Sequence, residues 1–386
     1  MATPRPVPAE LPVSVARPSG TSYIPTLDGW RAVAISAVLF CHGLDQKAHP
    51  FAMPLGLVGV LLFFSISGFL ITSRLMEEHA QTGHISFRKF YLRRAFRILP
   101  PAFFYLAVIA ALGLLGWIPF SVWDLIKSAI FLRNYTSLDL GNPASWYSVH
   151  FWSLSVEEHF YLIWPAILAL VSLRRSRWAP FYVATGLAIL TLVWRTLDEK
   201  YRFIIRLFHA PYLEQIVGRT DYVADVLLWG CALALLLGPR PWQRKLPRGF
   251  TTPVAAFLIG VIGFVFFAKG AGHGRDFCYI LMALLIGCTV IDPDSWISRL
   301  LELAPLRWIG RLSYSLYLWQ ELFFQVDGVP LWFQRFPVNG VFISVCAYLS
   351  YTLVERPLVR IGHRLARPPK LGHGDDVSTP VVEAAN

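Results

Sequence analysis

The sequence predicts an all-α fold: a polytopic integral membrane helical bundle of about ten transmembrane helices plus one re-entrant or surface helix. Three observations carry that reading. The 386 residues are 55% hydrophobic and only 15% charged, with a mean hydropathy of +0.50, whereas an ordinary globular chain is about 25% charged. Charge this sparse does not keep so apolar a chain in water, and disorder, coiled coil, collagen and disulfide-stapled secreted folds are excluded with it. Apolar segments of about 20 residues, the length that crosses a bilayer as a helix, recur along the chain. Lys and Arg gather in short stretches between those segments, as the positive-inside rule requires. The net charge of +11 therefore reads as topology. Nucleic acid is not an expected partner, because no basic module with exposed stacking aromatics stands apart from the spans.

Residues 1–22 hold Pro4, Pro6, Pro8, Pro12 and Pro18 without an apolar run, so they read as a disordered tail and not as a signal peptide. Residues 23–366 form the membrane domain, and 367–386 read as a second disordered tail. Apolar segments lie near 27–46, 54–73, 98–117, 152–173, 179–195, 221–238, 250–268, 277–291, 308–326 and 337–355. An eleventh stretch, 120–133, is interrupted by Asp124 and Lys127. If it stays on one side, the basic loops 74–97, 174–178 and 240–248 and the tail after Glu355 share one face with both termini. If it crossed, Arg174, Arg175 and Arg177 would face opposite to Arg88–Arg97. The first arrangement satisfies the rule and makes both termini cytoplasmic. Cys41, Cys231, Cys278, Cys288 and Cys346 lie in or beside apolar runs without metal-ligand spacing, so they read as buried small hydrophobes.

The first span, TLDGWRAVAISAVLFCHGL, carries Arg31 and His42. Eleven residues are about three turns and about 16 Å of rise, so the two share a face near opposite ends of the helix. Ionisable groups inside a span point to function; the alternative is that Arg31 snorkels inward and His42 reaches interfacial water. Ser65, Ser67 and Gly68 in the second span read as close helix packing. Arg94 and Arg97 lie one turn apart before Pro100 and Pro101, which are expected to open the third span. From charge alone, this basic loop serves equally as topology signal and anionic-lipid contact or as a bidentate grip on phosphate.

In HFWSLSVEEHFYLIWP, residues 150–165, Ser153, Glu157, Phe160, Tyr161 and Trp164 follow a three-four spacing and line one helix face. The topology starts this helix on the outer side, level with His42, which points to a shared polar site. A second stripe in WIGRLSYSLYLWQELFF, formed by Ser313, Tyr317, Gln320 and Glu321, reads first as interhelical hydrogen bonding. Glu355–Arg356 at the end of the last span reads as a structural ion pair. The chain has no phosphate-gripping glycine loop, zinc spacing, nucleophile elbow or paired-His motif. No metal is therefore expected, and ATP-driven chemistry is disfavoured.

The runs LDGWRAVAISAVLFCH, FFSISGFLIT, RRAFRILP, WSLSVEEHFYLIWP, GRLSYSLYLW and VERP resemble, in order, the membrane acyltransferase-3 family of O-antigen acetylase-like enzymes over about residues 23–360. The resemblance implies an O-acyltransferase of the bacterial inner membrane. It would move an acyl group, commonly acetyl, from acetyl-CoA to a hydroxyl of a carbohydrate or glycosylated acceptor. Acetyl-CoA would be a donor substrate, with no permanently bound cofactor. Arg31 and His42 match the family's Arg–His pair, with the histidine catalytic. Arg94 and Arg97 match its Arg-x-x-Arg element near the donor, and Glu157 matches a glutamate expected to orient or charge-stabilise His42. Ser153, Tyr161, Ser313 and Tyr317 are the expected substrate contacts on the two polar stripes. His42 would act as general base or be transiently acylated. Two positions depart from the pattern: Leu61 stands where the family often has an acidic residue, and Gln320 where it often has histidine. The chain reads as a free-standing member without an added esterase-like domain. The rival reading is a carrier or flippase for a lipid-linked saccharide, for which internal symmetry is expected and none is found in the sequence.

Overall fold

In the computed structural model, the described residues are 23–366, apart from 45–48, 50, 137–141, 175, 209–217, 239–249, 269–273 and 325–331. Both tails and the basic loop 240–248 lie outside them. Every regular element among them is helical. The ten expected segments each fall on a helix: α1 (Pro25–Gly43), α2 (Ala52–Thr82), α3 (Phe87–Leu114), α6 (Phe151–Ser172), α7 (Ala179–Tyr201), α9 (Thr220–Leu237), α10 (Thr251–Phe267), α11 (Gly274–Ile291), α13 (Ala304–Phe323) and α14 (Val338–Ser350). Short helices α4 (Val122–Ala129), α5 (Pro143–Val149), α8 (Phe203–Phe208) and α12 (Trp296–Leu301) connect them, and α15 (Arg356–Leu365) follows α14.

By length and composition, six helices are long and apolar enough to cross a membrane: α2, α3, α6, α7, α9 and the continuous Val338–Leu365. That number is smaller than the ten expected spans; α1 and α13 carry the charged and polar groups that lower their apolarity. Leu162, Leu170, Phe257, Phe264 and Leu353 stand exposed on the outside of the bundle. Such a surface suits lipid and not water. The chain is an integral membrane protein.

The eight residues of α4 span about 12 Å, too little for a hydrocarbon core of about 30 Å. Val122, Trp123 and Ile126 are exposed along it, while Asp124 accepts a 2.6 Å hydrogen bond from Ser145 Oγ. It is a short surface-type helix, as the interrupted 120–133 stretch suggests.

Two boundaries differ from expectation. Pro100 and Pro101 do not open the third span. The helix starts at Phe87, where Ser86 Oγ caps the Lys89 amide, and both prolines lie inside it. Arg94 and Arg97 are therefore held on a rigid helix instead of a loop. The last span does not end at Glu355 either: a π-helical turn, Tyr351–Glu355, joins α14 to α15 without a break.

At the centre, α1 packs against α2 and α13, and α2 packs against α9. Small residues permit these approaches. A Cβ on Gly310 would stand 1.8 Å from the Asp28 carbonyl oxygen, and one on Gly68 would stand 2.0 Å from that of Leu227. Without a hydrophobic drive between helices in lipid, such backbone-to-backbone packing holds them together. Gly310→Ala is expected to force α13 off α1 and to cost about 1–3 kcal/mol of stability, the range for overpacking. A thermal unfolding midpoint in detergent equal to wild type would contradict this.

Candidate active site

The two ends of the bundle are marked by Arg31, near the start of α1, and His42, at its end. α13 runs alongside α1 in the same direction: Gly310 meets Asp28, and Gln320 meets His42. α6 runs the other way. Its first turn, at Phe151, lies toward the His42 end, and Tyr161 lies toward the Arg31 end.

At the Arg31 end there is a cavity of about 370 Å³. Its wall carries Arg31, Arg74, Arg94, Arg97, Arg311 and Arg356, opposed by Asp28 and Glu355. Six guanidinium groups against two carboxylates make a positive basin that draws anions. Arg31 is held 3.5 Å from Asp28, and Arg94 lies 4.5 Å over the Tyr161 ring, a cation–π placement. Among the described residues neither Arg94 nor Arg97 forms an ion pair, so their donors remain open to a ligand. Tyr23, just before α1, donates a 2.6 Å bond to Asp28. Its hydroxyl is held above its ordinary pKa by burial and by the Asp28 carboxylate.

A second cavity of about 80 Å³ shares Arg31, Arg94 and Arg97 with the first and extends along α6 and α13 past Ser67, Glu157, Tyr161, Ser313, Ser153 and Tyr317. Here Ser67 Oγ donates to Glu157 at 2.6 Å. Ser67 is thus a polar partner on the cavity wall, whereas its neighbour Gly68 fills the packing role expected of the segment. Ser153 and Tyr317 close the far end of this space with a 2.6 Å hydroxyl–hydroxyl bond, and Tyr317 also donates to the His150 carbonyl at 3.1 Å.

His42 lies beyond that closure. Its Nδ1 is 3.2 Å from Gln320 Oε1, and its Nε2 is 3.7 Å from Glu321 Oε1. Trp146 meets the ring edge-on at 6.0 Å, and Trp146 Nε1 fixes the Glu321 backbone carbonyl at 3.0 Å. The His42 side chain keeps 20% of its surface open, so the ring borders both the bundle interior and the outside.

The structure brings together eight of the nine residues expected at the site: Arg31, Arg94, Arg97, Ser153, Glu157, Tyr161, Ser313 and Tyr317 line one space. His42 is separate from them. The expectation that Glu157 is level with His42 needs correction. Glu157 lies one turn inward of Ser153, and Ser153 bonds Tyr317, itself one turn inward of Glu321. Eight residues of helical rise put Glu157 about 12 Å from the His42 level. The carboxylate beside His42 belongs to Glu321, which spacing alone assigned to interhelical bonding. Glu355, read as half of a boundary ion pair, accepts a 2.9 Å bond from Ser315 and faces the large cavity.

Sequence reasoning gave no cavity role to Arg74, Arg311 or Arg356, the last read as half of a boundary ion pair, because a basic residue near the end of an apolar segment gives the same signal whether it faces lipid or a cavity. It also missed a second set of buried charges away from these cavities. Arg195 bridges Asp225 at 3.0 Å and Asp276 at 2.9 Å, and Arg219 holds Asp198 at 2.9 Å. These pairs neutralise charge where α7, α9 and α11 meet, a structural task.

The comparisons with known proteins agree with this architecture. The chain belongs to the acyltransferase-domain family, whose model matches residues 24–354. It is similar to the peptidoglycan O-acetyltransferase OatA of Listeria monocytogenes, with 29% identity over 88% of this chain and 56% of the relative. A putative O-acetyltransferase of Staphylococcus aureus strain COL is 29% identical over 88% of this chain and 58% of its own length. The putative peptidoglycan O-acetyltransferase YrhL of Bacillus subtilis is 30% identical over 89% and 56%. The chain thus spans little more than half the length of these curated relatives. No solved structure matches it.

Proposed function

We propose that this protein is a membrane O-acetyltransferase that takes an acetyl group from acetyl-CoA at the Arg31 end and delivers it to a hydroxyl of a cell-envelope carbohydrate at the His42 end. The observation that carries the reading is the arginine basin joined to a narrow polar space that leads toward His42. The relatives' names, which specify O-acetyl transfer and in two cases peptidoglycan, support it. Arg31, Arg94 and Arg97, with Arg74, Arg311 and Arg356, bind the phosphates of the donor by charge-assisted hydrogen bonds. The pantetheine arm then runs past Tyr161, Glu157 and Ser313. Its amides replace the Ser153–Tyr317 bond that closes the route. Arg31 and His42 are about 16 Å apart along α1, within reach of that arm. His42 takes the proton of the acceptor hydroxyl as the oxygen attacks the thioester carbonyl.

Purified protein should transfer acetyl from acetyl-CoA to an envelope glycan fraction without any ion gradient, which a carrier for a lipid-linked saccharide would not do. Absence of transfer, together with gradient-driven movement of the glycan, would overturn the reading. The reading also places the Arg31 end and both termini in the cytoplasm of a bacterial inner membrane, where acetyl-CoA is made. Ser176 is exposed between α6 and α7. A cysteine introduced there should resist an impermeant thiol reagent in intact cells and react after permeabilisation. Labelling from outside would invert the orientation.

A further inference from the structure

Glu321 is fully buried, at 0% exposure. Neither carboxylate oxygen has a hydrogen-bond partner among the described residues. Among the described residues, the ionisable group paired with it is His42, with Nε2 3.7 Å from Oε1. An isolated carboxylate inside a membrane bundle is costly, and packing alone gives no reason to keep one, because an amide or an aliphatic side chain of similar size would fill the space without that cost. The separation is informative. At 3.7 Å the contact is too long for a hydrogen bond, so the carboxylate lies near enough to act on the ring by charge without occupying Nε2. Gln320, also fully buried, meanwhile holds Nδ1.

We propose that Glu321 is the positioning residue of His42: it holds the ring's Nε2 edge and stabilises, by its negative charge, the imidazolium that His42 becomes during transfer. This rests on the reading of His42 as general base. In the step concerned, the acceptor O–H bond breaks and its proton goes to Nε2. The acceptor oxygen forms a bond to the acetyl carbon, the C–S bond of the thioester breaks, and the departing sulfur takes the proton from the imidazolium to leave free thiol. Glu321 touches neither substrate and acts through His42 alone. Among the described residues, the other ionisable groups around the pair are Tyr317 on α13, His150 at the α5–α6 junction, Tyr105 on α3 and Cys41 on α1. Among the described residues around His42, Glu321 is the one able to bear a negative charge without deprotonating a phenol or a thiol.

The test compares purified Glu321→Gln, Glu321→Asp, His42→Ala and the His42→Ala/Glu321→Gln double variant, using acetyl-CoA and an envelope glycan fraction. Glu321→Gln keeps shape and removes charge. It should lower kcat about 100-fold, in the range of general acid–base effects, with donor KM unchanged. Its melting temperature should equal or exceed that of wild type, because a costly buried charge is gone. Glu321→Asp should recover part of kcat, and the double variant should be no slower than His42→Ala, as for residues that act as a unit. A Glu321→Gln protein with kcat within threefold of wild type, or one whose stability falls together with its activity, would overturn the assignment. An active His42→Ala protein would instead sink the general-base reading itself, whatever Glu321→Gln does.

Discussion

His42→Ala is expected to lower acetyl transfer by about two to four orders of magnitude, the contribution of a general base, while membrane insertion and yield remain near wild type. The ring lies past the Ser153–Tyr317 closure, toward the same end as His150. It is fixed on one nitrogen by Gln320, faces Glu321 with the other, and is open over 20% of its surface. Its removal deletes no ion pair on which the fold depends, since α1 is held by backbone contact with α13 and by its packing on α2. Donor affinity should persist, because the arginine basin lies about three helical turns away. An expression-matched assay decides the matter, and activity within threefold of wild type would remove His42 from the chemistry.

The Arg94→Ala and Arg97→Ala variants should fail in a different way. Each is expected to raise the donor KM about tenfold, and the pair about 100-fold, the scale of losing one and two hydrogen bonds between charged groups. Acceptor KM should not move. Both guanidinium groups are set by α3 into the shared wall of the two cavities, and neither forms an ion pair among the described residues. Lysine at either position should restore the charge only in part, because the planar fork that grips phosphate is lost. Donor titration of the purified variants is the measurement. An unchanged donor KM with an altered acceptor KM would put the donor elsewhere.

How legible the site is in the sequence depends on the kind of information needed. Each apolar segment becomes a helix because composition and length act locally. The interrupted 120–133 stretch becomes the short α4 for the same reason, with Asp124 tied to Ser145 instead of crossing lipid. Three-four spacing correctly puts Ser153, Glu157 and Tyr161 on one face of α6, and Ser313 and Tyr317 on one face of α13. Depth is harder. Glu157 is six residues into α6, about 9 Å from its start, so a shared side of the membrane does not make it a neighbour of His42. Pairing is harder still. Glu321 and His42 are 279 positions apart, and only the parallel packing of α13 on α1, permitted by Gly310, brings them together. Arg74 and Arg356 satisfy the positive-inside pattern whichever way they point, and Arg311 lies inside an apolar segment, so only the packed bundle reveals the three as the wall of a cavity.

The central claim is that donor and acceptor are used from opposite ends of the bundle. It is tested most directly in sealed vesicles carrying the protein in one orientation, with the Arg31 end inward. Acetyl-labelled acetyl-CoA is enclosed and the envelope glycan fraction is supplied only outside. The account predicts labelled glycan in the external medium, produced at a rate that falls with Arg94→Ala and with His42→Ala. Label appearing on the glycan only when donor and acceptor share one compartment would contradict it.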